Sequence, residues 1–178
     1  MLVVNLFGAP GSGKSTLQAD IYRRLKQKRV NAEIILEWAK MLTWEKRHSV
    51  LRLGQPYILG RTLFDMRVLQ EADVEVLVMD SPILLGATYD ALNGQPTSDL
   101  FLPMVADIHS SFDNLNYMLR RTFDYEVEGR NQDEAGSAYI DSALRGTLER
   151  FGFAYTAIDS DDTTGEKITD EVMARLRP

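Results

Sequence analysis

Gly8-Ala9-Pro10-Gly11-Ser12-Gly13-Lys14-Ser15-Thr16 decides how the rest of this chain is read. The stretch satisfies G-x-x-x-x-G-K-[ST] at every position. Its flanks agree with it: Leu2 to Phe7 is a short, largely apolar run with the pattern of a buried strand, and Leu17 to Lys28 has helical spacing. Strand, glycine loop and helix is the setting in which the motif works.

The chemistry of the loop follows from its backbone. Glycines at 8, 11 and 13 let the chain curl so that successive N–H groups point inward at a helix N-terminus, which makes a concave nest for anions. That nest suits the α and β phosphates of a nucleotide, so Gly8 through Thr16 are expected to bind ATP. Lys14 is placed to reach the β and γ phosphates. The Ser15 hydroxyl is placed to join a Mg2+ shell made otherwise of water and phosphate oxygens.

Composition narrows the class. The 178 residues suit one domain with a sizeable core, and 44% hydrophobic with 26% charged residues is ordinary for a soluble globular protein. No apolar run approaches the roughly 20 residues needed to span a bilayer, and the N-terminus has no basic region of the kind a signal peptide carries. Cysteine is absent, which excludes disulfides, thiolate metal sites and a cysteine nucleophile. The expected location is the cytoplasm. The net charge of −6 is unevenly spread: residues 1–70 hold 12 Lys/Arg against 5 Asp/Glu, and residues 71–178 hold 8 against 21. The basic half carries the phosphate loop, although Arg23, Arg24, Lys26, Lys28 and Arg29 equally suit the solvated face of one helix.

Leu17, Ile21 and Leu25 give the first helix an apolar stripe. Val30 to Leu36 reads as a second strand leading to Glu37-Trp38-Ala39-Lys40. In parallel α/β sheets ligands sit beyond the carboxyl ends of strands, so Glu37 is a candidate general base. Residues 38–72, with a proline-initiated helix from Gln55 to about Ala72, are expected to form a helical cap in which Trp38, Tyr57 and Arg61 are candidate acceptor-binding residues.

Val74 to Met79 reads as a buried strand that delivers Asp80-Ser81-Pro82 at its tip. Asp80 is the expected partner of Ser15 in holding magnesium. Ile83 to Leu92 and Leu100 to Ser111 read as helices, and Asn114 to Leu119 as a fourth strand with Leu115, Tyr117 and Leu119 on one face. Residues 120–132 follow it. Arg120, Arg121 and Arg130 there are expected to form a lid whose arginines neutralise charge spread over a transferring phosphoryl group. Asn131 is expected to cap a helix from Gln132 to Phe151, Phe153 to Ile158 to form the fifth strand, and Thr164 to cap the last helix.

These elements together resemble the P-loop kinase fold: α/β, a five-stranded parallel sheet flanked by helices, with a helical cap and an arginine lid. Glu37-Trp38 resembles the acid-plus-aromatic segment that deoxynucleoside kinases place beside their acceptor hydroxyl, without the proline that often follows the acid. Asp80-Ser81-Pro82, Ser111-Phe112-Asp113-Asn114-Leu115-Asn116 and Gly129-Arg130-Asn131-Gln132 resemble blocks of small bacteriophage P-loop proteins described as AAA-family ATPases or nucleotide kinases. Some relatives of that set are kinases of 5-hydroxymethyluracil in DNA. The resemblance implies a Mg-dependent kinase acting on a hydroxyl of a nucleoside-type acceptor, free or in DNA carrying a modified base, in the host cytoplasm if the protein is phage-encoded. For such a base Trp38, Trp44 or Tyr57 would be the receiving aromatics. A nucleoside monophosphate kinase and an ATPase switch acting on a partner remain open beside it.

Overall fold

Buried strand patterns in this chain assemble into one sheet. The computed structural model describes residues 1–47, 49–50, 54–92, 96–123 and 134–177. The strands are β1 (Leu2–Phe7), β2 (Ala32–Ile34), β3 (Val76–Met79), β4 (Asp113–Arg121) and β5 (Thr156–Ser160), all parallel, in the order β2-β3-β1-β4-β5. Seven helices are described: α1 (Lys14–Gln27), α2 (Trp38–Trp44), α3 (Gln55–Glu71), α4 (Ile83–Leu92), α5 (Phe101–Ser110), α6 (Glu134–Arg150) and α7 (Thr164–Leu176). None of the described helices is long and apolar enough to cross a membrane.

All six residues of β1 are buried, and the side chains alternate between two cores. Leu2, Val4 and Leu6 join Leu17, Ile21 and Leu25 of α1 and Ile168 and Val172 of α7. Val3 and Phe7 face the other layer, with Met66 of α3, Leu84 of α4, Val105 of α5 and Leu144 of α6. β1 is therefore central, and the loop that leaves its carboxyl end is flanked on both sides by strand ends.

Several expected boundaries move for physical reasons. β2 stops at Ile34, and Leu36 is 73% exposed, so the apolar run outlasts the strand. Phe153 and Tyr155 were expected in β5. Instead they pack into the α3–α6 core before the strand begins, and pairing starts at Thr156 opposite Tyr117. Arg120 and Arg121, expected to open the lid, instead complete β4 and pair with Asp159 and Ser160 of β5, and residues 124–132 of the expected lid lie outside the described residues. Thr164 is not the cap of α7. It is the buried first helical residue, and its hydroxyl donates to the Asp159 carbonyl. Asp161 organises that turn by accepting from the Thr163 N–H (2.8 Å) and hydroxyl (2.6 Å). The expected turn at Asn93-Gly94-Gln95, Arg130, the cap at Asn131 and the start of its helix at Gln132 lie outside the described residues.

The face of β1 towards α5 carries a buried polar row. Asn5 Nδ2 donates to Asn114 Oδ1 (2.9 Å) and Asn116 Oδ1 (3.1 Å), and Asn114 in turn donates to the His109 carbonyl (2.7 Å). The His109 ring is 1% exposed, packs edge-on against Phe7 and Phe153, and leaves Nε2 without a hydrogen-bond partner. Burial lowers its pKa from 6.5 to about 4, with Asn116 pulling weakly the other way. The folded state thus refuses a proton that the unfolded chain accepts. Stability is full above about pH 6.5 and falls as pH drops towards 4, by about 3 kcal/mol in total. Urea unfolding at pH 7.5 and pH 5 should show a smaller loss for His109→Phe than for wild type. Equal losses in the two proteins would remove His109 as the cause.

Candidate active site

The loop between β1 and α1 sits where the sheet order puts a strand end on either side. Gly11 and Gly13 have φ of +83° and +82°, in the left-handed region that glycine alone adopts freely. Gly13 is also crowded: a Cβ there would lie 2.6 Å from Ser160 Oγ and 3.3 Å from Phe123 Cζ. Two constraints thus fix glycine immediately before Lys14. The loop is held from the α6 side as well, where the buried Ser137 hydroxyl donates to the Pro10 carbonyl (3.0 Å).

Lys14 Nζ donates to the carbonyls of Gly8 (2.7 Å) and Ala9 (2.9 Å), which holds the ammonium at the mouth of the loop. Ser15 Oγ donates to Asp80 Oδ2 (2.7 Å). Asp80 is 4% exposed, and its Oδ1 has no hydrogen-bond partner. A buried carboxylate with one oxygen unpaired is costly, and the cost falls when a cation arrives. The hydroxyl and the carboxylate are hard oxygen donors of the kind magnesium takes. The site residues therefore fit that ion.

Glu37, at the N-cap position of α2, is half-buried. Burial pushes its carboxyl above the usual carboxylate range; the negative charge of Asp80 adds to the rise, and Lys14 and Lys40 oppose it. Gln18 of α1 ties the ends of β2 and β3 together, donating to the carbonyls of Val78 (2.9 Å) and Ile35 (3.4 Å).

Beyond Asp80 a small cavity of about 20 Å3, room for roughly one water molecule, lies between α3 and the start of α4, lined by Gln55, Leu59, Thr62, Ser81, Pro82, Ile83 and Gly86 among others. Sequence reasoning missed this lining. Gln55 reads as a helix-opening polar residue, and only Ser81, adjacent to Asp80, carried a signal. The cap residues divide. Arg61 stacks over Trp38 at 5.3 Å and pairs with Asp65 (3.2 Å), whereas Tyr57 is 60% exposed and Trp44 64% exposed.

The structure thus brings Lys14, Ser15, Glu37 and Asp80 to neighbouring strand ends. Arg120 lies apart from them, ion-paired with Asp159 at 2.7 Å near the protein surface. A family model described as an AAA domain matches residues 3–165. The chain belongs to this AAA-domain family. Among solved structures, this AAA-domain protein is similar to deoxyadenosine kinase from M. mycoides with bound dATP, with a TM-score of 0.55 and 17% identity over 99% of this chain and 100% of that one. The same enzyme with dCMP and dCDP gives 0.52 at 16% identity, covering 98% of each chain, and with dCTP 0.51 at 16%, again covering 98% of each. At such identity the likeness establishes the fold. It is a P-loop kinase fold with a five-stranded parallel sheet flanked by helices. No curated protein sequence matches the chain.

Proposed function

We propose that this AAA-domain protein is a Mg-dependent kinase that transfers the ATP γ-phosphoryl group to a hydroxyl of a nucleoside-type acceptor. The observation that carries the reading is Glu37, a half-buried carboxylate whose pKa is raised by burial and by the nearby charge of Asp80, which accepts from Ser15. A nucleotide switch that does not turn over has no need of a base on that side of the loop. A monophosphate acceptor, already ionised near neutral pH, has none either. The deoxyadenosine kinase fold, seen in that enzyme with bound dATP, supports the same choice.

In this reading the loop amides and Lys14 hold the triphosphate, and Ser15 and Asp80 hold magnesium. The metal, when bound, neutralises charge on the β and γ phosphate oxygens. Glu37 accepts the proton of the acceptor hydroxyl as it attacks, with Gln55, Thr62 and Ser81 as polar groups on the acceptor side. Trp38, braced by Arg61, closes the cap side, with Tyr57 at its rim. Arg120, released from Asp159, joins Arg121 and Arg130 in supplying positive charge around the transferring group. The acceptor is either free or carried in DNA, as with a hydroxymethylated pyrimidine. The test incubates the protein with γ-labelled ATP and, separately, with deoxynucleosides, deoxynucleoside monophosphates, plain DNA and 5-hydroxymethyluracil DNA. Label is expected in a hydroxyl acceptor. Release of inorganic phosphate alone in every arm would leave an ATPase, and label confined to the monophosphates would make Glu37 dispensable.

A further inference from the structure

Ala9-Pro10-Gly11-Ser12, the tip of the phosphate loop, is a β-turn closed by the Ser12 N–H, which donates to the Ala9 carbonyl (3.2 Å). Its type follows from two φ angles. The Pro10 ring fixes φ at about −65°, and Gly11 has φ of +83°. Negative φ at the second position with positive φ at the third makes a type II turn. A type I turn keeps the same closing hydrogen bond and the same proline, and differs by rotation of the central peptide, here the one joining Pro10 to Gly11. Glycine takes negative φ as readily as positive, so the tip's own sequence lets that peptide face either way.

The facing matters because a planar trans peptide carries its C=O and N–H on opposite sides. The Pro10 carbonyl is turned towards α6, where Ser137 Oγ donates to it (3.0 Å) across 127 residues of sequence. The Gly11 N–H therefore points the other way, and among the described residues it has no acceptor. The first corner of the turn is pinned separately, since the Ala9 carbonyl also accepts from Lys14 Nζ (2.9 Å). Ser137 is buried, so its hydroxyl is committed to the loop rather than to solvent. A flipped peptide would aim a carbonyl oxygen where the nest needs an N–H, and an anion there would meet repulsion.

We infer that Ser137 is a positioning residue for the phosphate loop: it holds the Pro10–Gly11 peptide in the orientation that offers the Gly11 N–H to a phosphate oxygen of the nucleotide. The inference rests on the kinase reading only for its consequence in phosphoryl transfer. Its effect on phosphate binding is the same whatever the acceptor. One neutral hydrogen bond of this kind biases a two-state peptide by roughly two- to tenfold.

The experiment reads the peptide directly and then its effect. A type II turn brings the Pro10 Hα close to the Gly11 N–H and a type I turn separates them, so the NMR cross-peak between these protons should be strong in wild type and weaker in Ser137→Ala. Calorimetry with Mg2+ should show ATP and inorganic tripolyphosphate both bound roughly fivefold more weakly by Ser137→Ala, because the nest meets phosphates and not the base. Gly11→Ala, whose side chain disfavours positive φ, should lose affinity on its own, and adding Ser137→Ala to it should cost less than about twofold more. If Gly11→Ala does not fold, the two measurements on Ser137→Ala decide alone. Unchanged affinity in Ser137→Ala with a lower Tm overturns the inference, since the hydroxyl would then only support α6. An unchanged cross-peak, or losses that multiply in full in the double variant, overturns it as well. Wild type that binds both ligands with the expected Ser137 effects, yet passes label to no acceptor, removes the kinase reading and leaves this inference standing. Wild type that binds neither ligand removes both.

Discussion

Glu37→Gln should lower turnover on a hydroxyl acceptor by roughly 10²-fold or more, with ATP affinity nearly unchanged. Glutamine keeps the shape of the side chain and its place at the N-cap of α2, so the cap helix should stay where it is. It removes only the ability to take a proton. The pH profile separates this role from a structural one. Because burial and Asp80 raise the Glu37 pKa, its basic form is lost as pH falls through that raised value. The acid limb of kcat/KM in the wild type should therefore lie at higher pH than an ordinary glutamate would give, and the limb should vanish in Glu37→Gln. Full activity in the variant, or an unchanged acid limb, would assign the base elsewhere. The Glu37→Asp variant sharpens the comparison: it retains a carboxylate one methylene further from the acceptor, so partial activity with a surviving acid limb is expected.

The donor half of this site was legible in the sequence because its geometry is local. Gly8 to Ser15 is a continuous motif, and the short strand before Asp80 has four buried residues in a row, Val76 to Met79. Glu37 was also placed at a strand end, although β2 is three residues long and the acid lies beyond it at the N-cap of α2. What was not legible depends on partners far apart in the chain. Arg120 reads as a lid arginine until β4 pairs with β5 and sets it opposite Asp159, 39 residues away. As an exposed pair it contributes about 0–1 kcal/mol, little enough for a phosphate to displace. Gln55 and Thr62 acquire meaning only when α3 lies against the Ser81–Gly86 segment. The aromatic Phe153-Ala154-Tyr155 run mimics a strand because the core of the α3–α6 layer and a buried strand ask for the same side chains.

Asp80→Asn should abolish magnesium-dependent transfer, lowering turnover by roughly 10²-fold or more, while leaving the protein at least as stable as wild type in the absence of nucleotide. The two halves of this expectation come from one atom. Asp80 Oδ1 is buried and unpartnered, and the charge it shares is uncompensated by any hydrogen bond except the one from Ser15 to Oδ2. Asparagine keeps an acceptor for Ser15 and replaces a buried charge with a neutral amide, whose unmet hydrogen bond costs about 1–3 kcal/mol, less than an unpaired charged oxygen does. A residue retained purely for structure would behave in the opposite way, because its replacement would lower Tm. Ligand linkage supplies the second readout. With ATP and Mg2+ at about 100 times Kd, binding adds about 2.7 kcal/mol of stability, which for a chain of this size raises Tm by roughly 5–10 °C. Wild type should show most of that rise only when Mg2+ accompanies ATP. Asp80→Asn should show the same modest rise with or without the metal. A variant that loses stability without ligand and still responds to Mg2+ would make Asp80 a structural acid and move the metal site away from Ser15.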